Sequence, residues 1–263
     1  MPLELDLKPF DIKRIKEKIY VNILVLGKRN SGKSVTLNDI LSHVAELFPL
    51  VIAMSGSEKM NGFYKKILPE MLVYDDVYVN KIRDLIARQE KFILKIKGGH
   101  SKYSDCNPNA ALILDDCIHN KEWTKDESAR YLSYAGRHIK LGVFIASQEL
   151  KALPPGMRAN FDYVFISRMD SGDELDKVRK AFFACIPKRA DFMHIFNKYT
   201  DDYKFIVVDQ MTKSTDPLDK IFWYKSDINL KPKLAHPHYY ELNNILSDKI
   251  YKNLYEKEKK NAA

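Results

Sequence analysis

Gly27-Lys28-Arg29-Asn30-Ser31-Gly32-Lys33-Ser34 is the stretch that decides the fold. Before it stand Val21-Asn22-Ile23-Leu24-Val25-Leu26, apolar and rich in β-branched residues, as in a buried strand. After it Val35, Leu37, Ile40, Leu41, Val44 and Leu47 recur at helical spacing. Strand, glycine-bearing loop and helix in this order match the phosphate-binding pattern G-x-x-x-x-G-K-[ST]. Gly27 and Gly32 let the backbone turn around an anion with no Cβ in the way. Amides of the loop and of the helix N-terminus then point at that anion. Lys33 brings a point charge to the β- and γ-phosphates, and Ser34 offers its hydroxyl to Mg²⁺. Residues Gly27 to Ser34, with Val35 behind them, are therefore expected to hold a nucleotide such as ATP.

Two further strand ends carry chemistry. Ala111-Leu112-Ile113-Leu114-Asp115-Asp116 is an apolar run that closes on two carboxylates. Ligands of open α/β sheets sit at the carboxyl ends of strands, so these acids are expected to face the phosphate loop. Asp115 fits the acid that supports Mg²⁺, and Asp116 the base that orients the attacking water. Taken alone, Asp-Asp at a strand end reads equally as a turn; behind a phosphate loop it reads as a site. Gly142-Val143-Phe144-Ile145-Ala146 ends in Ser147-Gln148. Gln148 there suits a hydrogen bond to the water or the γ-phosphate, and equally suits a plain turn.

The remaining sequence supports one soluble α/β domain. Of 263 residues, 45% are hydrophobic, enough for a sizeable core. No apolar run reaches the ~18 residues of a membrane span. The first residues are mixed acidic and basic, unlike a signal peptide. A formal net charge of +8 is compatible with a polyanionic partner. Cys106, Cys117 and Cys185 lack CxxC spacing, which suits a reducing compartment and offers no zinc framework. Residues 1–20 read as a lead-in, with Phe10, Ile12 and Ile15 packing on the sheet. Residues 21–250 read as the domain and 251–263 as a polar, lysine-rich tail that frays. Within the domain, strands are expected at 50–54, 71–74, 110–114, 141–146 and 161–167, with a hairpin pair at 204–208 and 221–224. Helices are expected at 61–68, 80–95, 124–137 (with Thr124 or Asp126 near its start and Gly136 near its end), 173–183 and 189–198. The alternation implies a mostly parallel sheet with helices on both faces.

The ordered set G-K-R-N-S-G-K-S, L-I-L-D-D, F-I-A-S-Q and M-R-A-N-F-D-Y-V-F-I-S-R resembles the FtsK/HerA superfamily of ring ATPases. Within it, the chain is most similar to the genome-packaging ATPases of large DNA viruses of poxvirus and giant-virus type. The resemblance spans about residues 21–168. It implies a P-loop NTPase with a RecA/ASCE-like core, a homo-oligomeric ring, and ATP-driven movement of double-stranded DNA into a procapsid. It also implies capsid, portal or membrane-associated packaging proteins as partners. The setting would be the host cytoplasm or virus factory, with association to the virion.

The resemblance further implies an arginine given to the neighbouring subunit's ATP. Arg158, after Pro154-Pro155-Gly156, is the leading candidate; Arg168 and Arg137 follow, and Arg29 is a cis alternative within the loop. Each also reads as an ordinary surface arginine. For DNA, Lys97-Gly98-Gly99-His100-Ser101-Lys102 is the most suggestive segment, a basic flexible loop able to grip phosphates. Lys65-Lys66 and the lysines from 252 to 260 read as solvated faces. His236-Pro237-His238 lacks partners for a metal set and reads as loop histidines. Two other function classes stay open. One is a P-loop kinase, which would need an arginine-rich lid. The other is a nucleotide-dependent switch or scaffold; Asn197-Lys198-Tyr199-Thr200 lacks the aspartate of a guanine motif.

Overall fold

The computed structural model describes residues 4–18, 20–117 and 121–261. The apolar runs become strands: β1 Asn22–Leu26, β2 Leu50–Ser55, β3 Val73–Tyr74, β4 Ala110–Asp115, β5 Leu141–Ser147, β6 Tyr163–Ile166, β7 Lys204–Asp209 and β8 Ile221–Lys225. The helices of the first half are α1 Lys13–Glu17, α2 Lys33–Val44, α3 Glu58–Asn61, α4 Val79–Lys97, α5 Lys121–Lys125 and α6 Glu127–Ala135. Those of the second are α7 Pro155–Arg158, α8 Gly172–Phe182, α9 Arg189–Tyr199, α10 Pro217–Lys220 and α11 Pro237–Asn261.

Among the described residues the strands form one sheet in the order β3-β2-β4-β5-β1-β6-β7-β8. Neighbours from β3 to β6 run parallel, and β7 and β8 close one edge as the expected antiparallel pair. Strands covered on both faces are apolar throughout, and each face builds its own core. Leu24 and Leu26 of β1 pack with Ile82, Leu132 and Val178 from α4, α6 and α8. Ile23 and Val25 face the other way and pack with Leu37, Ile40 and Leu41 of α2. The expected α/β class with helices on both faces is therefore the one observed.

The lead-in serves both faces: Leu7 joins the first core, and Phe10 and Ile15 join the second. Phe10 N donates to Trp223 O at 2.7 Å, and Trp223 N to Lys8 O at 3.1 Å, which docks the chain on β8. The buried Phe10 ring meets Tyr163, Phe165, Phe222 and Tyr224 edge-on, with centroids 5.1 to 6.3 Å apart. Ile15 is buried, and Ile12 packs against the same core.

Two of the expected helices differ in the structure, and one element is additional. Residues 124–137 are not one helix. The Asp126 carboxylate accepts from Ser128 N at 2.8 Å and caps a new helix, α6, so the chain breaks there. That bond and an ion pair with Arg83 hold the Asp126 carboxyl down at about 2. Residues 61–68 do not form a helix either. Gly62, at φ 54°, ends α3, and a single 3₁₀ turn follows at Tyr64–Lys66. Beyond β8 lies an element absent from the expectations. Residues 226–236 cross over α2, and α11 follows through Asn261, incorporating most of the expected frayed tail; residues 262 and 263 lie outside the described residues.

This crossing segment is pinned along its length. Thr36 Oγ1 lies 2.8 Å from Ser226 Oγ, and Asn38 Nδ2 donates to Leu230 O at 3.1 Å. The buried Asp39 accepts from Tyr224 OH at 2.7 Å and Asp227 N at 3.2 Å. Farther on, Leu234 N donates to Ile67 O and His236 N to Pro49 O. Helix α2, which begins at the phosphate loop, is thus strapped on its outer side.

Phe10→Ala should remove about 3–5 kcal/mol of stability, the usual effect of truncating a buried phenylalanine. Urea titration checks this; a change near zero would show that the lead-in is not part of the core.

Candidate active site

The site is assembled at the carboxyl ends of β1, β4 and β5. Gly27 is required for space: a Cβ there would stand 2.0 Å from Ser167 Oγ and 2.4 Å from Ser31 Oγ. Gly32 is required for conformation, at φ 87°. Lys33, at the start of α2, donates from Nζ to the Lys28 carbonyl at 3.0 Å and so ties the loop together. Burial lowers the pKa of its ammonium, opposed by the charges of Asp116 and Asp115. Lys28 also pairs with Asp170, anchoring the loop to the segment beyond β6.

Asp115 ends β4 and is 1% exposed. Its Oδ2 accepts from Ser34 Oγ at 2.6 Å and from Tyr64 OH at 2.9 Å. Its Oδ1 is buried and has no hydrogen-bond partner. Burial raises its pKa, while the two hydroxyls act in the opposite direction. A dry carboxylate with one free oxygen beside a serine hydroxyl and a phosphate loop is a hard, oxygen-only donor set.

Asp116 leaves the strand in left-handed backbone, at φ 52°. The turn carries its side chain out of the sheet to the pocket wall, and Gln148 Nε2 donates to Asp116 Oδ1 at 3.1 Å. The pocket, about 530 Å³, is lined by Arg29 to Val35 of the loop and helix and by Asp116 and Gln148. Gly56, Ser57 and Asn61 complete its wall. All the expected phosphate-loop, acidic and amide residues are therefore brought together.

Tyr64 and Glu58 escaped the sequence reading. Tyr64 is fully buried, and its phenol aims at Asp115. Glu58 follows β2 and has the look of a second acid, but both its oxygens are occupied. They accept from Tyr64 N at 3.0 Å and Lys65 N at 3.1 Å, so Glu58 shapes the turn that delivers Tyr64. Neither residue had a signal in the sequence beyond apolar spacing around a glycine.

The arginine candidates part company. Arg137 pairs with the buried Asp162 and is structural. Arg158 ends α7, two residues before Asn160, whose carbonyl accepts from Asn22 at the start of β1. Arg158 thus sits at the end of the sheet opposite its own phosphate loop. Arg168 follows β6 at the loop's own end and donates to Asn197 O at 3.1 Å. Arg29 lines the pocket. The 97–102 segment is exposed and leads into the start of β4, again opposite the loop. Nearby, Lys95 Nζ donates to Tyr103 OH at 2.9 Å. Among the described residues no three His, Cys, Asp or Glu side chains form a metal cluster, and His238 instead lies 3.4 Å from Glu241.

Strand β5 lies between β1, which feeds the phosphate loop, and β4, which ends in Asp115 and Asp116. That inserted strand, bearing a polar side chain at its tip, defines the RecA-like, ASCE-type class of P-loop NTPase. Within that class the chain belongs to the family of the Poxvirus A32 protein, whose model matches residues 7–219. This is the group of viral ATPases that the order of motifs resembles.

An uncharacterised protein of Acanthamoeba polyphaga mimivirus is 28% identical over 222 residues, 84% of this chain and 77% of that one. One of Invertebrate iridescent virus 6 is 30% identical over 229 residues, covering 84% of each. Among solved structures, the genome packaging NTPase B204 of Sulfolobus turreted icosahedral virus 2, in complex with AMPPCP, aligns over 79% of this chain and 98% of its own. Its TM-score is 0.52 at 16% identity. The pCW3 conjugation coupling protein TcpA, with ATPγS, has a TM-score of 0.53 at 14% identity over 84% of this chain and 69% of its own. Both share the fold.

Lys33→Ala should abolish triphosphate binding, whereas Asp116→Asn should retain it and lose turnover. Titration calorimetry combined with phosphate release separates the two; equal binding loss in both variants would refute the division of roles.

Proposed function

We propose that this protein is a Mg²⁺-dependent ATPase that, as a homo-oligomeric ring, drives double-stranded DNA into a viral procapsid. The observation that carries the reading is the Gln148–Asp116 hydrogen bond at the mouth of a complete phosphate loop. A carboxylate and an amide side by side at the γ-phosphate end suit an attacking water: Asp116 accepts its proton and Gln148 orients it. Ser34 Oγ and the free oxygen of Asp115 would hold Mg²⁺, which when bound with the phosphates neutralises their charge. Tyr64 keeps the Asp115 carboxylate in one orientation. Lys33 stabilises charge on the β- and γ-phosphates.

The family and the shared fold with a viral packaging NTPase support DNA as the cargo. So does the net charge of +8. The exposed 97–102 loop supplies a sequence-independent grip on phosphates. The reading places the protein in the host cytoplasm or virus factory and with the virion, working beside capsid, portal or membrane-associated packaging proteins. Among the described residues no helix is long and apolar enough to cross a membrane.

A head-to-tail ring joins two different faces of the subunit. A residue that meets the neighbour's ATP therefore lies away from its own loop, which favours Arg158 over Arg168 as the arginine acting in trans. Arg29 remains the cis alternative.

The reading is tested by ATPase rate with and without long double-stranded DNA at several salt concentrations. Rates should rise with DNA, and the rise should shrink as salt increases. Equal rates throughout would overturn the motor.

The trans arginine is tested by mixing subunits. Arg158→Ala should cost on the order of 10³–10⁵ in rate. Equal mixing with Lys33→Ala subunits should restore part of the activity, because some interfaces then pair an intact loop with an intact arginine. No recovery, with mixed rings seen by native mass spectrometry, would reject Arg158 and move the same experiment to Arg168.

A further inference from the structure

The phosphate pocket has two sides, set by strand order. Asp115, Asp116 and Gln148 come from β4 and β5, on one side of β1; β6 and β7 lie on the other. A triphosphate on the loop presents its γ-phosphate to the carboxylates and the amide. Its α-phosphate, sugar and base then extend toward β6 and β7.

Tyr203 stands on that second side. It immediately precedes β7, and β7 runs antiparallel to β6, so the start of β7 lies at the same end of the sheet as the phosphate loop. Tyr203 Cδ1 is 4.0 Å from the point that a Cβ on Gly32 would occupy. The side chain is nonetheless 72% exposed, a large flat apolar surface left in water beside a polar loop. Asp202 and Tyr203 both adopt left-handed backbone, at φ 52° and 55°. The turn is held by Lys204 N donating to Asp201 O at 3.0 Å and by the 2.6 Å Asp202–Lys225 ion pair. Two consecutive non-glycine residues in this region are unfavourable, and here they present an aromatic ring rather than bury it.

We propose that Tyr203 is the stacking platform for the purine base of the bound nucleoside triphosphate. The proposal rests on the reading of the loop as a triphosphate site. A base laid on the ring removes apolar area of both partners from water, and offset stacking adds to this. The platform has no part in hydrolysis. It fixes the base end of the nucleotide while the loop fixes the phosphate end.

The test uses the full chain in four forms: wild type, Tyr203→Ala, Tyr203→Phe and Lys33→Ala. Titration calorimetry measures affinity for AMPPCP and for inorganic tripolyphosphate, which has no base. Tyr203→Ala should bind AMPPCP about tenfold more weakly, in line with base–aromatic stacking, and tripolyphosphate as wild type does. Tyr203→Phe should bind both normally. Unchanged AMPPCP affinity in Tyr203→Ala would overturn the platform, as would a parallel fall for tripolyphosphate. If wild type and Lys33→Ala bind tripolyphosphate equally, or neither binds it, the loop reading fails and the platform with it. That outcome is distinguished because it is visible without any Tyr203 variant.

Discussion

The Asp115 carboxylate is the point on which the site's geometry depends. It is buried at the end of a central strand, where an ionised group is costly unless it is hydrogen-bonded. Two hydroxyls from different parts of the chain meet on one of its oxygens: Ser34 from the phosphate-loop helix and Tyr64 from the turn after β2. Loop, acidic strand and turn are therefore held in mutual register by one charged group. Losing either hydroxyl would leave the carboxylate under-solvated and free to rotate. The second oxygen is buried without a hydrogen-bond partner, so both hydroxyls act on a single oxygen.

Around this point the protein limits how far the phosphate-loop helix can move. Helix α2 is packed inward on Ile23 and Val25 and strapped outward by residues 226–236. The strap's contacts fall on Thr36, Asn38 and Asp39, all within the first two turns of α2 and close to Lys33. Asp39 is the charged one among them, and it is buried. Burial raises its pKa against the bonds from Tyr224 and Asp227, and His43 Nε2 lies 3.3 Å away. Hydrogen bonds thereby link the edge strand β8 and the segment after it to the helix that carries Ser34. The aromatic cluster around Phe10 stiffens the same edge.

The two aspartates at the end of β4 show how identical side chains acquire separate tasks. Asp115 remains in the strand and points into the dry interior; Asp116, one residue later, turns into left-handed backbone and faces the pocket. The backbone change, rather than the residue type, keeps one buried against Ser34 and Tyr64 and sets the other in the pocket wall beside Gln148. Gln148 reaches Asp116 only because β5 is inserted between β1 and β4.

The local parts of the site are written in the chain. The phosphate loop, the Asp-Asp strand end and the strand-tip glutamine were legible because each depends on short-range rules: glycine where a Cβ cannot stand, carboxylates at a strand's end, apolar runs for buried strands. The alternation of strands and helices made the layered α/β class legible for the same reason. Whatever depends on pairing between distant segments emerges only once the sheet is assembled. Nothing near Tyr64 in the chain signals that the fold sets it against Asp115. Nothing near Glu58 signals that the turn occupies both its oxygens. Residues 226–261 show no clear period, because the strap bonds mainly through its own backbone groups, and α11 leaves Ile245 and Ile250 exposed rather than forming a continuous buried stripe. Tyr203, far along the chain from Gly32, comes beside it only because β7 runs back along β6. Such placements arise from strand order and direction, which the hydrophobic pattern of a single chain does not encode.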